Sequence, residues 1–219
     1  MFTYNLFPEK KLRQITTEKE RVYLAENGNT YTSVTTALGY LSRKGINKWR
    51  ARVGNAYANE VSSRASRFGT AVHNIAEKYL KGDQTWKNAM PTSLEAFNTI
   101  KEFIDDNITE INGIELRMYS DTLKAAGTAD CICVYNGKPS VVDFKTSSRI
   151  KSEDDILSYF LQSTAYSQMV YELYDVEIEQ IVILMAVKDD VGIEFTRPVS
   201  KYLPMTKKYF SLYSEGKLV

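Results

Sequence analysis

Residues 127–147, GTADCICVYNGKPSVVDFKTS, constrain the fold of this 219-residue chain more than any other stretch. Segments 131–135 and 141–144 are rich in β-branched and aromatic residues. Asn136, Gly137, Lys138 and Pro139 between them supply turn chemistry, so the stretch predicts a β-hairpin. Pairing Tyr135 with Ser140 sets Val134 opposite Val141, Ile132 opposite Asp143 and Asp130 opposite Lys145. Strand side chains alternate between faces. Asp130, Asp143 and Lys145 then share one face with Ile132, Val134 and Val141, while Cys131, Cys133, Val142 and Phe144 point toward a core on the other. Two neighbouring carboxylates repel unless a cation neutralises them, and Mg²⁺ takes oxygen ligands such as carboxylates and substrate phosphate. An isolated D-x-K is more often a surface salt bridge, so the rest of the chain decides between the two readings.

Composition narrows the choices. The chain is 43% hydrophobic and 25% charged, which fits one domain with a helical elaboration. No apolar run approaches the roughly 20 residues of a membrane helix, and the polar start MFTYNLFPEKK does not read as a signal peptide. The expected setting is cytoplasmic, with no membrane partner. The two cysteines, Cys131 and Cys133, sit two apart in one strand, so neither a bridge between them nor a four-cysteine iron–sulfur cluster is expected. Charge is segregated. Residues 1–70 carry 12 Lys and Arg against 5 Glu, whereas residues 94–121 carry 2 basic and 7 acidic residues. A basic half beside carboxylates suits a phosphate track leading to a metal site.

Taken in order, Glu26-Asn27-Gly28 predicts a hairpin between 21–25 and 29–32. Ser33 is read as capping a short helix over 34–41, and 42–45 as a loop to a second helix over 46–58. Trp49 lies in that second helix among Arg50 and Arg52 and is expected to lie mainly in the core. A long helix over 59–80 carries Ala65, Phe68, Val72, Ile75, Ala76 and Tyr79 at helical spacing. His73, the only histidine, lies off that stripe near Gly69, Thr70 and Glu77. Residues 86–91 form a loop, and Thr92-x-x-Glu95 is a capping box for a helix to 108. Asn112-Gly113 breaks the chain before a strand over 114–120 that contains Glu115. Ser152 caps a helix over 153–173, on which Tyr159, Gln162 and Tyr166 form one line. A central strand over 178–187, a turn at Asp189-Asp190-Val191-Gly192, a strand over 193–197 and a helix over 205–214 complete an α/β sandwich around a mixed sheet.

In this order, GTAVHNIAEKYL (69–80), GIELRMYS (113–120), AGTAD (126–130), VVDFKTS (141–147) and LQSTAY (161–166) resemble the PD-(D/E)XK nuclease superfamily. They are most similar to its RecB-type exonuclease domains and the mitochondrial genome maintenance exonucleases. YTSVTTAL (31–38) and NKWRARVG (47–54) extend the similarity over most of residues 30–170. The resemblance implies a restriction-endonuclease-like core, a central mixed sheet flanked by helices, with an N-terminal helical arm. A basic hairpin and arm would occupy 1–70, the catalytic core 71–199 and a terminal helix 200–219.

It also implies site roles. Asp130, Asp143 and the Phe144 carbonyl would hold Mg²⁺ or Mn²⁺, with His73 as an added ligand. Glu115 would fill the acidic position before the hairpin, and Lys145 would orient or activate the attacking water. Thr146, Gln162 and Tyr166 would buttress the site or touch DNA, with Gly69 and Glu77 in support. Ser33, Thr35, Arg43, Trp49, Arg50 and Arg67 would grip a DNA strand. The implied activity is a metal-dependent DNA exonuclease preferring single strands in replication, repair or recombination, with a separate helicase or single-strand-binding partner. A duplex-end exonuclease of the same fold and a non-catalytic DNA-binding module are the alternatives.

Overall fold

The computed structural model describes residues 2–16, 21–188 and 191–218. In chain order its elements are β1 (Thr3–Tyr4), β2 (Leu12–Thr16), β3 (Arg21–Ala25), β4 (Thr30–Ser33), α1 (Val34–Val53), α2 (Asn55–Leu80), α3 (Pro91–Asn107), β5 (Ile108–Ser120), β6 (Ala125–Tyr135), β7 (Lys138–Ser147), α4 (Leu157–Tyr174), β8 (Gln180–Val187), β9 (Val191–Pro198) and α5 (Val199–Ser214). All nine strands form one mixed sheet flanked by helices. On one face Val72, Ile75, Ala76 and Leu80 of α2 and Phe97, Ile100 and Ile104 of α3 pack on Cys131, Cys133, Val142 and Phe144. On the other, the starts of α1 and α5 and the middle of α4 pack on Ile132, Val141, Ile181 and Ile183. Residues Phe160 and Leu161 and all of 163–170 of α4 are buried, as expected of a helix enclosed on all sides. No helix among the described residues is long and apolar enough to cross a membrane.

The hairpin of β6 and β7 forms with a register two residues from the expected one. Tyr135 pairs with Lys138 and Cys131 with Val142. Asn136 and Gly137 take φ of 50° and 75°, the left-handed pair that a two-residue hairpin turn requires. A slip of two keeps every side chain on its face, but it sets Asp130 in line with Asp143 instead of Lys145.

Several expected boundaries move. Residues 42–45 continue α1 to Val53, and the break falls at Gly54, with φ of 84°. Ser33 makes no capping bond to the backbone; its Oγ meets Thr35 Oγ1 at 2.8 Å. Pro91 at the first helical position, not the Thr92 box, starts α3. Asn112-Gly113 is a bulge inside one continuous β5 rather than a break. The expected loop over 86–91 contains a 3₁₀ turn, Gln84–Asn88. Another, Asp154–Ile156, precedes α4 where a helix from 153 was expected. Strand β8 is buried throughout but lies between β7 and β9, one place from the sheet edge. Helix α5 starts at Val199 and runs through Pro204. Asp189 and Asp190 of the expected turn lie outside the described residues.

Strand β6 changes neighbours part-way along. One edge pairs with β5 over most of its length. On the other edge Ala125 and Ala126 pair with β4, in parallel, and 131–135 pair with β7. Among the described residues no strand pairs with 127–130 on that side, so the sheet forks there. The expected arm is present as the distal parts of α1 and α2. Between 39 and 71 only Ala58 is fully buried, and this stretch holds seven Lys and Arg against one Glu.

Candidate active site

Asp130 stands at the fork. Its Oδ2 accepts the Phe144 N–H at 2.8 Å, a side chain taking the place of a ladder bond where β6 and β7 part. From the other side, His73 Nδ1 of α2 lies 3.4 Å from the same oxygen. Register carries Glu115 of β5 opposite Asp130, since Ile114 pairs with Cys131 and Leu116 with Ala129. Glu115 has φ of 50°, a left-handed conformation that costs a non-glycine residue about 1–2 kcal/mol and that clusters at functional sites. Ligand atoms of His73, Glu115 and Asp130 all lie within 4.8 Å of one another. Such a set, one nitrogen and two carboxylates from three separate elements, fits a divalent cation.

Asp143 sits behind this cluster. Its side chain is 1% exposed, and its partner is the ammonium of Lys145, in ion contact. A buried carboxylate is costly unless a cation serves it; here that cation is Lys145, so the fit to a metal rests on the convergence of His73, Glu115 and Asp130. Lys145 Nζ also lies 5.1 Å from the centre of the Tyr159 ring. Burial, and then the charge of Asp130, push Asp143 up to about 6 despite Lys145. Burial also acts on Asp130, but His73, Lys145 and the Phe144 N–H outweigh it and hold the carboxyl below the ordinary range. Burial pushes Glu115 up to about 7, aided by Asp130 and Glu77. Burial lowers the His73 imidazole, but Asp130 more than compensates and raises it.

These shifts give a stability prediction for the metal-free protein. Asp143 and Glu115 keep protons in the folded state up to about 6 and about 7, whereas their ordinary values are 3.8 and 4.5. Between those limits the folded state binds more protons than the unfolded one, so stability falls as pH rises. His73 acts in the same sense from 6.5 upward. Asp130, held low, contributes oppositely and only below 3.8. The melting temperature without metal is therefore expected to decline from about pH 5 to 7.5. Added Mn²⁺ should raise it more at about pH 8 than at 5.5, because ligands must shed protons to bind. His73→Ala should weaken the rise. Equal Mn²⁺ shifts at both pH values, or an unchanged shift in the variant, would return the cluster to an internal ion-pair network.

The cluster opens into a cleft of about 500 Å³ lined by Ser33, Thr35, Gly69, His73, Glu77, Glu115, Asp130, Gln162 and Tyr166, nine of the residues singled out from the sequence. Gln162 Nε2 donates to Tyr166 OH at 3.3 Å. Tyr166 lies against Gly127, where an added Cβ would fall 2.7 Å from its ring. That contact explains the glycine of G-x-x-D at residue level. Gly69 is less constrained: a Cβ there would meet Thr146 Oγ1 at 3.5 Å, an ordinary contact.

Arg43, Trp49, Arg50 and Arg67 do not line this cleft. They lie on the exposed arm, with Trp49 and Arg50 roughly 20 Å along the α1 axis from Thr35. Trp49 is half-buried rather than core, and Arg50 Nη2 donates to Asn59 Oδ1 at 2.5 Å. Seven residues not named as site residues, Gln14, Arg21, Tyr23, Thr70, Asn74, Gly127 and Thr128, complete the wall. Arg21 and Tyr23 alternate on one strand, a usable signal, but the parallel pairing of β4 with β6 that carries them to the fork has no local signature. A second cleft, of about 700 Å³, opens beyond Glu115 toward Lys10, Arg13 and Arg117.

With this geometry in place, known proteins can be compared. No protein-family model matches the chain. Over 125 residues it is 26% identical to mitochondrial genome maintenance exonuclease 1 of Homo sapiens. The chain is similar to a known exonuclease. The match covers 54% of this chain but 34% of the relative, so the chain spans about a third of that protein's length. A solved structure of a candidate exonuclease from Eubacterium rectale superposes with a TM-score of 0.49 at 13% identity, covering 85% of this chain and 82% of the other.

Proposed function

We propose that this chain is a metal-dependent nuclease of the PD-(D/E)XK type that removes nucleotides from free ends of DNA and prefers single strands. The observation that carries the reading is the fork. There His73, Glu115 and Asp130 converge from three elements beside a buried Asp143 paired with Lys145. The similarity to an exonuclease supports the same direction. His73, Glu115, Asp130 and Asp143 would hold Mg²⁺ or Mn²⁺, and the Phe144 carbonyl is a further ligand of the proposal. When bound, the ion lowers the pKa of water and offsets phosphodiester charge.

The chain's own groups do the rest. Phe144 N–H and His73 fix the orientation and ionisation of Asp130. Lys145, its charge reinforced by Asp143 and Asp130, holds a cation beside the place where negative charge develops on phosphate. Gln162, Tyr166 and Thr35 line the cleft with hydroxyl and amide groups suited to a sugar–phosphate backbone.

The arm supplies the end preference. Arg43, Lys44, Trp49, Arg50, Arg64 and Arg67 lie on its exposed or half-exposed surfaces. Cations neutralise phosphates, and a ring stacks on unpaired bases at about 1–3 kcal/mol each. A strand guided between arm and fork is reached most easily from an end. The test is end-labelled linear and circular single strands, and duplexes, with Mg²⁺, Mn²⁺ or EDTA. Linear single strands should be digested at least about tenfold faster than circles. Arg50→Ala with Arg67→Ala should weaken single-strand binding and lower its salt slope by about 1–2. Turnover in EDTA would refute the metal reading; rapid cutting of circles would refute the end preference and leave the chemistry standing.

A further inference from the structure

A second surface lies on the side of α1 turned away from the active site. Residues advance roughly 100° around a helix axis per position. Tyr40, Lys44 and Lys48 therefore fall roughly 140°, 180° and 220° from Thr35, which faces the cleft. With Leu41, Arg43 and Tyr209 they border a concavity of about 650 Å³. Its floor is apolar and fixed. Tyr209 OH donates to the Ala37 carbonyl at 2.7 Å, Tyr40 meets Tyr213 edge-on at 5.7 Å, and Leu218 packs against the core beneath. Its rim is cationic, with Arg43, Lys44 and Lys48 all exposed and the Arg43 guanidinium 5.1 Å over the Tyr40 ring. Among the described residues no carboxylate lines it. Tyr40 and Leu41 remain 43% exposed each.

We propose that this concavity docks an acidic, partly unfolded peptide segment of a partner protein, whose one or two large apolar side chains enter the floor while its carboxylates meet the rim. Charge complementarity and shape both favour this occupant. A recessed apolar floor of this volume suits a few side chains, whereas a nucleic-acid backbone would use the cations and leave the floor empty. The position matters too: a partner held here sits behind the arm and leaves the face carrying Thr35, Trp49 and Arg50 free for substrate.

The probe is a fluorescein-labelled octapeptide, GDEDLDFL, followed by anisotropy with the full chain. Saturable binding in the micromolar range is expected, with loss in a serine-for-acid or alanine-for-apolar version. Lys48→Glu should weaken it about threefold, and Leu41→Ser about fivefold. Cleavage of labelled single strands should continue in both variants. Saturating unlabelled oligothymidylate should not displace the peptide. Absence of saturable binding, indifference to these substitutions, or displacement by the oligonucleotide would overturn the proposal, the last making the surface part of the nucleic-acid track.

Discussion

Asp143→Leu combined with Lys145→Met is expected to abolish turnover while leaving the melting temperature at or above that of the unaltered protein. The pair is buried, and each charge is the other's partner. Replacing a buried ion pair by hydrophobic groups of similar volume is often neutral or stabilising by about 1–4 kcal/mol, whereas removing one partner alone strands a charge and is strongly destabilising. The double change therefore separates folding from chemistry better than either single one. Loss of one preorganised electrostatic group commonly lowers turnover by about 10²–10³, and here both a proposed metal ligand and a cation are lost. Thermal melts and cleavage of a labelled oligonucleotide read the two effects. A markedly lower melting temperature would show that the pair is structural; residual activity within about tenfold would remove both residues from the mechanism.

Gly192→Ala should produce the largest loss of stability of any single methyl addition at a glycine. A Cβ at Gly192 of β9 would fall 1.9 Å from the Thr99 carbonyl oxygen of α3 and 3.1 Å from the Phe103 ring. The first obstacle is backbone and cannot rotate away, so α3 and the sheet must separate. Overpacking of this kind costs about 3 kcal/mol, which for a chain of this size lowers the melting temperature by roughly 6–12 °C. Gly39, within α1, has nothing within 4 Å of an added Cβ. Its replacement by Ala should instead stabilise by about 0.5–1 kcal/mol. A Gly192→Ala protein melting within about 2 °C of the original would mean that α3 does not seat on β9 at this distance.

Much of this architecture was legible in local pattern. The apolar stripe from Phe68 to Tyr79 marked α2, and the alternation around Ile132 and Val141 marked the hairpin. The resemblance of the motifs around His73, Glu115 and Asp130 to a nuclease family, not local pattern, pointed to residues far apart in sequence that the fork brings together. The two-residue slip of that hairpin escaped because a period of two is blind to a shift of two. The cue that fixes it, Asn136-Gly137 as a tight left-handed turn, was diluted by Lys138 and Pro139. Residues 42–45 looked like a loop because Ser42 and Gly45 break helices weakly. A helix tolerates one such glycine at about 1 kcal/mol, and Gly54, with its positive φ, was the true stop. The wall made by Gln14, Arg21 and Tyr23 depends on two residues of β4 pairing with β6 across about 90 positions of chain, a contact that no local rule encodes.

That brief pairing makes the fork a junction between two separable parts. Every group proposed to hold the metal, with Lys145 beside it, belongs to α2 or to β5, β6 and β7, while the hairpin of β2 and β3 reaches the cleft through Thr32 and Ser33, paired with Ala125 and Ala126. The hairpin thus behaves as an exchangeable cassette. A different loop grafted at that seam would reshape the entrance, and with it the choice of strand, without moving a single hydrolytic group.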